Sequence, residues 1–192
     1  EHERMLYSLG LAGSAFKKVY YDPNMDRVCA HYIPAEEVIV PYGASTIETA
    51  ERVTHVMRKT KNELRKLQAM GFYLDIECGE PKAFHSDIEE RKAEESGYSV
   101  NDDDRYTLYE IHADLFIEEL DDDEDEIAKP YVMTIERGTG EVLAIRRNWD
   151  EEDDLYMKRQ HFVHYNYVPG FGFYGLGLIH IIGGYARAGT SL

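Results

Sequence analysis

The chain is short of the residues and patterns that most often announce a chemistry. Two cysteines in 192 residues, Cys29 and Cys78, exclude a disulfide framework and fit a reducing compartment; each reads as a small buried hydrophobe. There is no H-E-x-x-H, no paired-cysteine zinc spacing, no G-x-S-x-G elbow, no Cys/His nucleophile signature and no G-x-x-x-x-G-K-[ST] loop. Zinc-protease, α/β-hydrolase and P-loop chemistry therefore have no foothold, and neither a catalytic residue nor a cofactor is expected. No run reaches the roughly 20 apolar residues that a membrane-crossing helix needs, and the longest, 176–186, contains His180. The opening Glu1-His2-Glu3-Arg4 is charged and leads into no signal-peptide apolar region. Positive charge is scarce too. Against 37 Asp and Glu stand 21 Lys and Arg, a net charge of −16. Tight non-specific DNA binding needs clustered cations against the phosphates, so a chain this acidic should meet DNA, if at all, without gripping it.

What is present is organised around a stretch near the end, His161 to His180. Residues 160–168 are aromatic and β-branched, which suits a strand. Pro169, Gly170, Gly172, Gly175 and Gly177 then break any regular ladder, because proline lacks a donor and glycine weakens a strand. This break reads as a hinge. From Leu176 the pattern turns apolar with small residues, through Leu178, Ile179, Ile181, Ile182, Tyr185 and Ala186. It predicts a helix buried all round, with Leu176, Leu178, Ile179, Ile182 and Tyr185 as subunit-contact candidates, since such a helix needs cover from outside itself. The pattern is still helical at Leu192 and the chain opens without a methionine, so a longer parent chain is expected. The predicted organisation is 1–168 as one α+β domain and 169–192 as hinge plus emerging helix.

The upstream chain reads as hairpins with a few helices. Residues 1–12 predict a short helix closed by Gly10 and Gly13. Residues 15–21 and 27–33 predict a hairpin around Asp22-Pro23-Asn24-Met25-Asp26, where proline pre-sets φ and Asp and Asn bond their own backbone. A short strand follows at 38–40 and another at 52–58. Thr60-Lys61-Asn62-Glu63 is a capping box, in which the Thr60 hydroxyl takes one orphan amide and Glu63 reaches back for another. It starts a helix to about Ala69, with Leu64 and Leu67 inward and Gly71 as the stop. Ile88 to Glu95 suits a charged helix. In Tyr106 to Glu118, Tyr109, Ile111, Ala113, Leu115 and Ile117 alternate with Glu110, His112 and Asp114. Residues 131–136 and 141–146 form a second hairpin about Arg137-Gly138-Thr139-Gly140. The predicted class is α+β with an antiparallel sheet.

Two constellations could carry chemistry. Acidic clusters at 102–104, 121–126 and 150–154 could hold divalent cations through oxygen, but none has the spaced calcium-hand pattern, and a block of like charge is usually a solvated loop. His161 and His164 could be ligands, yet a spacing of three on a strand puts them on opposite faces. Packed or hydrogen-bonded histidines are the simpler reading.

Several segments together resemble a known family. Leu11 to Asp22, Tyr32 to Glu36, Val40 to Ala44, Tyr109 to Asp114, Ile145 to Trp149 and His161 to His180 are similar, in one order over nearly the whole chain, to portal proteins of tailed double-stranded-DNA bacteriophages. The resemblance implies a structural, non-enzymatic subunit of a ring, usually a dodecamer, at one capsid vertex of the virion, assembled in the host cytoplasm. Terminase pumps DNA through such a ring, tail proteins dock on it, and capsid or scaffold proteins surround it. It also implies that this chain is the wing-side region, with the helix after Gly175 leading toward the stem and the clip and crown lying elsewhere. Acidity suits a channel through which duplex DNA slides without sticking. Two readings from other classes compete. A metal-dependent hydrolase using the acidic loops with His161 and His164 predicts tight divalent-ion binding. A plain adaptor domain predicts no role in DNA passage. A large closed ring separates the portal reading from both.

Overall fold

The structure, a computed structural model, describes residues 1–22, 25–82, 84–85, 87–99, 104–118, 120 and 127–190. Its elements in order are α1 (His2–Ala12), β1 (Ser14–Asp22), β2 (Arg27–Ile33), a 3-10 turn (Ala35–Glu37), β3 (Val38–Ile39), β4 (Arg52–Thr60), α2 (Lys61–Ala69), α3 (Asp87–Glu95), β5 (Arg105–Leu115), β6 (Lys129–Glu136), β7 (Val142–Arg147), β8 (Phe162–Asn166) and α4 (Leu178–Thr190). Helices and two antiparallel sheets make the class α+β, as the sequence predicts. The chain divides into two compact units, 1–53 with 149–192, and 54–148.

In the first unit β1 is the central strand of the order β2-β1-β8. It pairs antiparallel with β2 from Phe16↔Ile33 to Asp22↔Arg27, and with β8 from Ser14↔Asn166 to Lys18↔Phe162. Within the turn, Met25 N–H donates to Asp22 Oδ1 at 3.3 Å; Pro23 and Asn24 lie outside the described residues. The core gathers Phe16, Ile33, Val38, Ile47, Ala50, Val53, Phe162 and Phe173. α1 ends where Gly13 takes φ 94°, a left-handed cap that sends its own N–H back to Leu9 O. Gly10 lies inside the helix rather than closing it.

In the second unit the strands run β4-β5-β6-β7. The capping box is formed: Glu63 N–H donates to Thr60 Oγ1 at 3.3 Å and Thr60 N–H donates to Glu63 Oε2 at 2.9 Å. That amide, held against the carboxylate, keeps Glu63 below its ordinary pKa. The cap points α2 so that Leu64 enters a core with Tyr73, Cys78, Tyr106, Leu108, Leu143 and Ala144, and burial pushes the Tyr73 phenol up to about 12. Gln68, buried on the same helix, donates to Leu74 O and Ile76 O at 3.0 and 2.8 Å and fastens the chain that follows.

β5 departs from simple alternation. Its fully buried residues are Tyr106, Thr107 and Leu108, and beyond them both sides are partly covered. Glu110 and His112 tolerate this shelter because they share a 2.8 Å hydrogen bond on one face of the strand. The β6–β7 turn is held by a buried carboxylate that periodicity does not reveal. Glu136 is 2% exposed and accepts from Gly138 N–H, Thr139 N–H and the Thr139 hydroxyl at 2.8, 2.6 and 2.9 Å.

The cap gives a local prediction. Thr60→Ala leaves the Glu63 amide without its acceptor, so we expect a loss of about 1 kcal/mol of stability, the usual cost of losing such a cap. A denaturant midpoint that does not move would show that the box contributes nothing.

Candidate functional site

The stretch singled out in the sequence becomes a crossing of two backbones at the foot of α4. After β8 the chain loops and returns as a single bridge, Val168 with Leu176, whose amides and carbonyls exchange hydrogen bonds of 2.7 and 3.3 Å. It then passes the end of α1 with nothing between the two main chains. A Cβ placed on Gly175 would lie 2.5 Å from Gly13 O, one on Gly177 would lie 2.5 Å from Gly13 N, and one on Gly13 would meet Gly175 O at 2.5 Å. All three positions need glycine because only a residue without a Cβ lets backbone approach backbone this closely. Gly170 is also closed in, against Tyr174 O, whereas a Cβ placed on Gly172 would point into open space.

One hydroxyl ties the crossing together. Ser14 Oγ donates to Asn166 Oδ1 at 3.0 Å and accepts from Gly175 N–H at 2.9 Å. His164 Nε2 stands 3.2 Å away. With its one proton given to Asn166, Ser14 can only accept from His164, so the neutral ring carries its proton on Nε2. Tyr167 N–H adds a bond to Gly13 O at 3.0 Å. The His164 ring stacks on its cross-strand partner Phe16 at 4.4 Å and on Phe173 at 4.6 Å, and Tyr174 meets Phe173 edge-on at 5.0 Å. Burial pushes the His164 pKa below its ordinary value, with Glu48 pulling weakly the other way.

α4 starts at Leu178, two residues later than the pattern predicts, since Leu176 is held in the bridge. Gly177 O accepts from His180 N–H, and the His180 ring returns the favour by accepting Gly177 N–H at its Nδ1, 3.0 Å. At 100° per residue, Ile181, Tyr185, Leu178, Ile182, Ala186 and Ile179 fill an arc of about 160°, opposite His180 and Arg187. In this chain the helix is not buried all round. It meets α1, but Leu178, Ile179, Ile181, Ile182 and Tyr185 are all exposed, Tyr185 to 81%.

A further signal was missed in the sequence. All 37 Asp and Glu precede Leu155. From 155 to 192 the only formal charges on side chains are Lys158, Arg159 and Arg187. The acidity of the chain thus stops before β8 and α4 begin.

The competing metal reading finds its residues apart. His161 faces Val19 O through Nδ1 at 3.2 Å, while His164 is occupied with Ser14 and the aromatic rings. Among the described residues no group of three or more His, Cys, Asp or Glu is placed to hold a metal ion. The acidic cluster at 121–126, and that at 102–104 except Asp104, lie outside the described residues. In the cluster at 150–154, Asp150 accepts from Arg159 at 2.9 Å and Asp153 caps its own turn through Leu155 N–H and Met157 N–H. No described helix is long and apolar enough to cross a membrane.

The model of the phage SU10 portal protein family matches residues 15–183. The chain belongs to that family. The match runs from within β1 into α4; it includes Gly175 and Gly177 but begins two residues after Gly13. No curated protein matches the chain. Portal proteins are structural rather than enzymatic, and membership makes this chain a structural component of a phage virion.

Two measurements test the crossing. Ser14→Ala strands a buried Gly175 amide and the Asn166 carbonyl, so stability should fall by about 1–3 kcal/mol, and Gly175→Ala, which forces two backbones apart, should cost at least as much. An unchanged denaturant midpoint for both would show that the crossing is not formed. The His164 pKa gives the second. The unfolded chain takes up a proton near the ordinary value of 6.5, whereas the folded ring resists it to lower pH. This contribution to stability is complete above that value and is lost as pH falls through it toward the lowered folded value. We expect the thermal midpoint to drop between pH 7 and pH 5 by less in His164→Phe than in the unaltered chain; equal drops would remove His164 as the cause.

Proposed function

We propose that this chain is the wing-side part of a portal subunit, in a ring at one vertex of the capsid through which DNA is packaged and later ejected. Residues 1–168 act as the folded platform and 169–192 as the joint and the start of a stem-directed helix. The observation that carries the reading is the family match across nearly the whole chain. The net charge of −16 supports a passage that does not hold its cargo. Leu178, Ile179, Ile182 and Tyr185, left exposed on α4, supply contact with neighbouring subunits, with Leu176 at the helix foot. In the joint of Pro169, Gly170, Gly172, Gly175 and Gly177, bending falls to Gly172, while Gly175 and Gly177 anchor. Terminase, tail proteins and capsid or scaffold proteins are the docking partners that such a place in the virion requires.

The test is the mass of the assembled portal purified from virions or reconstituted from the parent protein. We expect a closed ring with one copy of this sequence per subunit; a parent protein that is monomeric in the virion would overturn the reading. DNA supplies a second check. The purified chain should bind duplex weakly or not at all at physiological salt, and a gel shift with sub-micromolar, salt-sensitive affinity would contradict a passage without grip.

A further inference from the structure

We propose that the foot of α4 is an acid-sensitive latch, closed while His180 is neutral and opened when His180 takes a proton at Nδ1. The latch belongs to the chain itself and works in or out of a ring.

Two helices of the chain begin with the same device in different chemistry. In α2 the side chain at the third helical position, Glu63, reaches back to the N–H of Thr60, the residue just before the helix. In α4 the side chain at the third position, His180, reaches back to the N–H of Gly177, the residue just before Leu178, at 3.0 Å. Each gives that amide an acceptor. Thr60 returns the bond through its hydroxyl to Glu63 N–H. Gly177 cannot, because the close approach to α1 leaves no room there for a Cβ. The start of α4 therefore has half a box, and that half rests on His180.

The two acceptors answer acid differently. A carboxylate keeps accepting well below neutral pH, and the bond to Thr60 holds Glu63 below its ordinary pKa. An imidazole does not. With Gly177 N–H as donor, Nδ1 must present its lone pair, so the neutral ring carries its proton on Nε2. Histidine in ordinary surroundings takes its second proton at about pH 6.5. That proton goes to Nδ1, where it sets a donor against a donor. The bond is lost, and a positive charge is left in the first turn of a helix, where the macrodipole disfavours it. His180 is exposed, so solvent protons reach it freely.

The surroundings do little to offset the charge. No carboxylate follows Asp154 in the sequence, and the other formal charge on α4 is Arg187. The last turn of α1, against which Gly177 is pressed, is Leu9-Gly10-Leu11-Ala12, without a titratable group; His2, Glu3, Arg4 and Tyr7 lie in its first two turns. The returning chain brings Tyr174 beside His164 of β8. His164 is itself held neutral across the crossing: it serves Ser14, lies against Phe16 and Phe173, and feels the carboxylate of Glu48. His164 acts on the joint through Ser14, which accepts Gly175 N–H, whereas His180 acts on Gly177 directly.

The experiment follows amide exchange site by site by NMR at pH 7.5 and pH 5.0, with rates corrected for the intrinsic effect of pH. In the unaltered chain, protection at Gly177 and Ile181 should fall about fivefold or more at pH 5.0 relative to Thr60, the matching amide of α2, as loss of one helix cap implies. Glutamine offers a carbonyl at this position and does not titrate, so in His180→Gln the fall should vanish. His180→Ala should show low protection at both pH values. Should His180→Gln be unprotected even at pH 7.5, His180→Glu, whose carboxylate accepts at both, takes its place. A fall of equal size in these replacements, or none in the unaltered chain, overturns the latch. So does a fall that His164→Phe abolishes, which assigns the effect to His164, and so does an even loss of protection across the whole first unit, which is general acid destabilisation.

Discussion

The first unit depends on one close approach, that of Gly13 to Gly175 and Gly177. Two backbones in contact leave no room for side chains to mediate, so their polar groups must be satisfied on the spot. Ser14 does this with a single hydroxyl that serves β1, β8 and the returning chain together. The rest of the site follows. The stack of Phe16, His164 and Phe173 is joined to it through the His164–Ser14 contact, and α4 leaves from a fixed point because Gly177, its first acceptor, is pinned against the end of α1.

Local signals were legible in the sequence wherever they act over a few residues. The capping box, both hairpins, the charged helix at 87–95 and the glycine that ends α1 are all set by neighbours along the chain, so spacing alone exposes them. What escaped depends on partners far away. The glycines at 170–177 read as a joint, because nothing in their surroundings in sequence tells permissive glycine from glycine compressed by another backbone. Gly13, 162 positions before Gly175 in the numbering, is the missing information. Glu136 escaped for the same reason: an acid beside a turn looks solvated until three donors are seen to converge on it. The buried faces of β5 were obscured because Glu110 and His112 satisfy each other and so can occupy positions that a simple apolar–polar alternation would leave to solvent.

The function was legible through likeness to the portal family rather than through chemistry, since a structural subunit has no reacting atoms to reveal it. Charge was read as one total, which concealed its distribution. A chain of −16 with its last 38 residues free of carboxylate carries all of its acidity before β8 and α4.

The division of the chain also sets an order of events at the ribosome. Unit 54–148 is one continuous stretch and can fold as soon as it emerges, whereas 1–53 must wait for 149–192. Until then β1 has β2 on one edge and nothing from β8 on the other, and Ser14 lacks Asn166, its partner 152 residues away. The segment made first is thus finished last, and the same final residues that complete its sheet also deliver α4. A nascent chain therefore cannot present α4 on an otherwise unfinished first unit: the step that locks Gly175 against Gly13 is also the step that completes the β1 sheet.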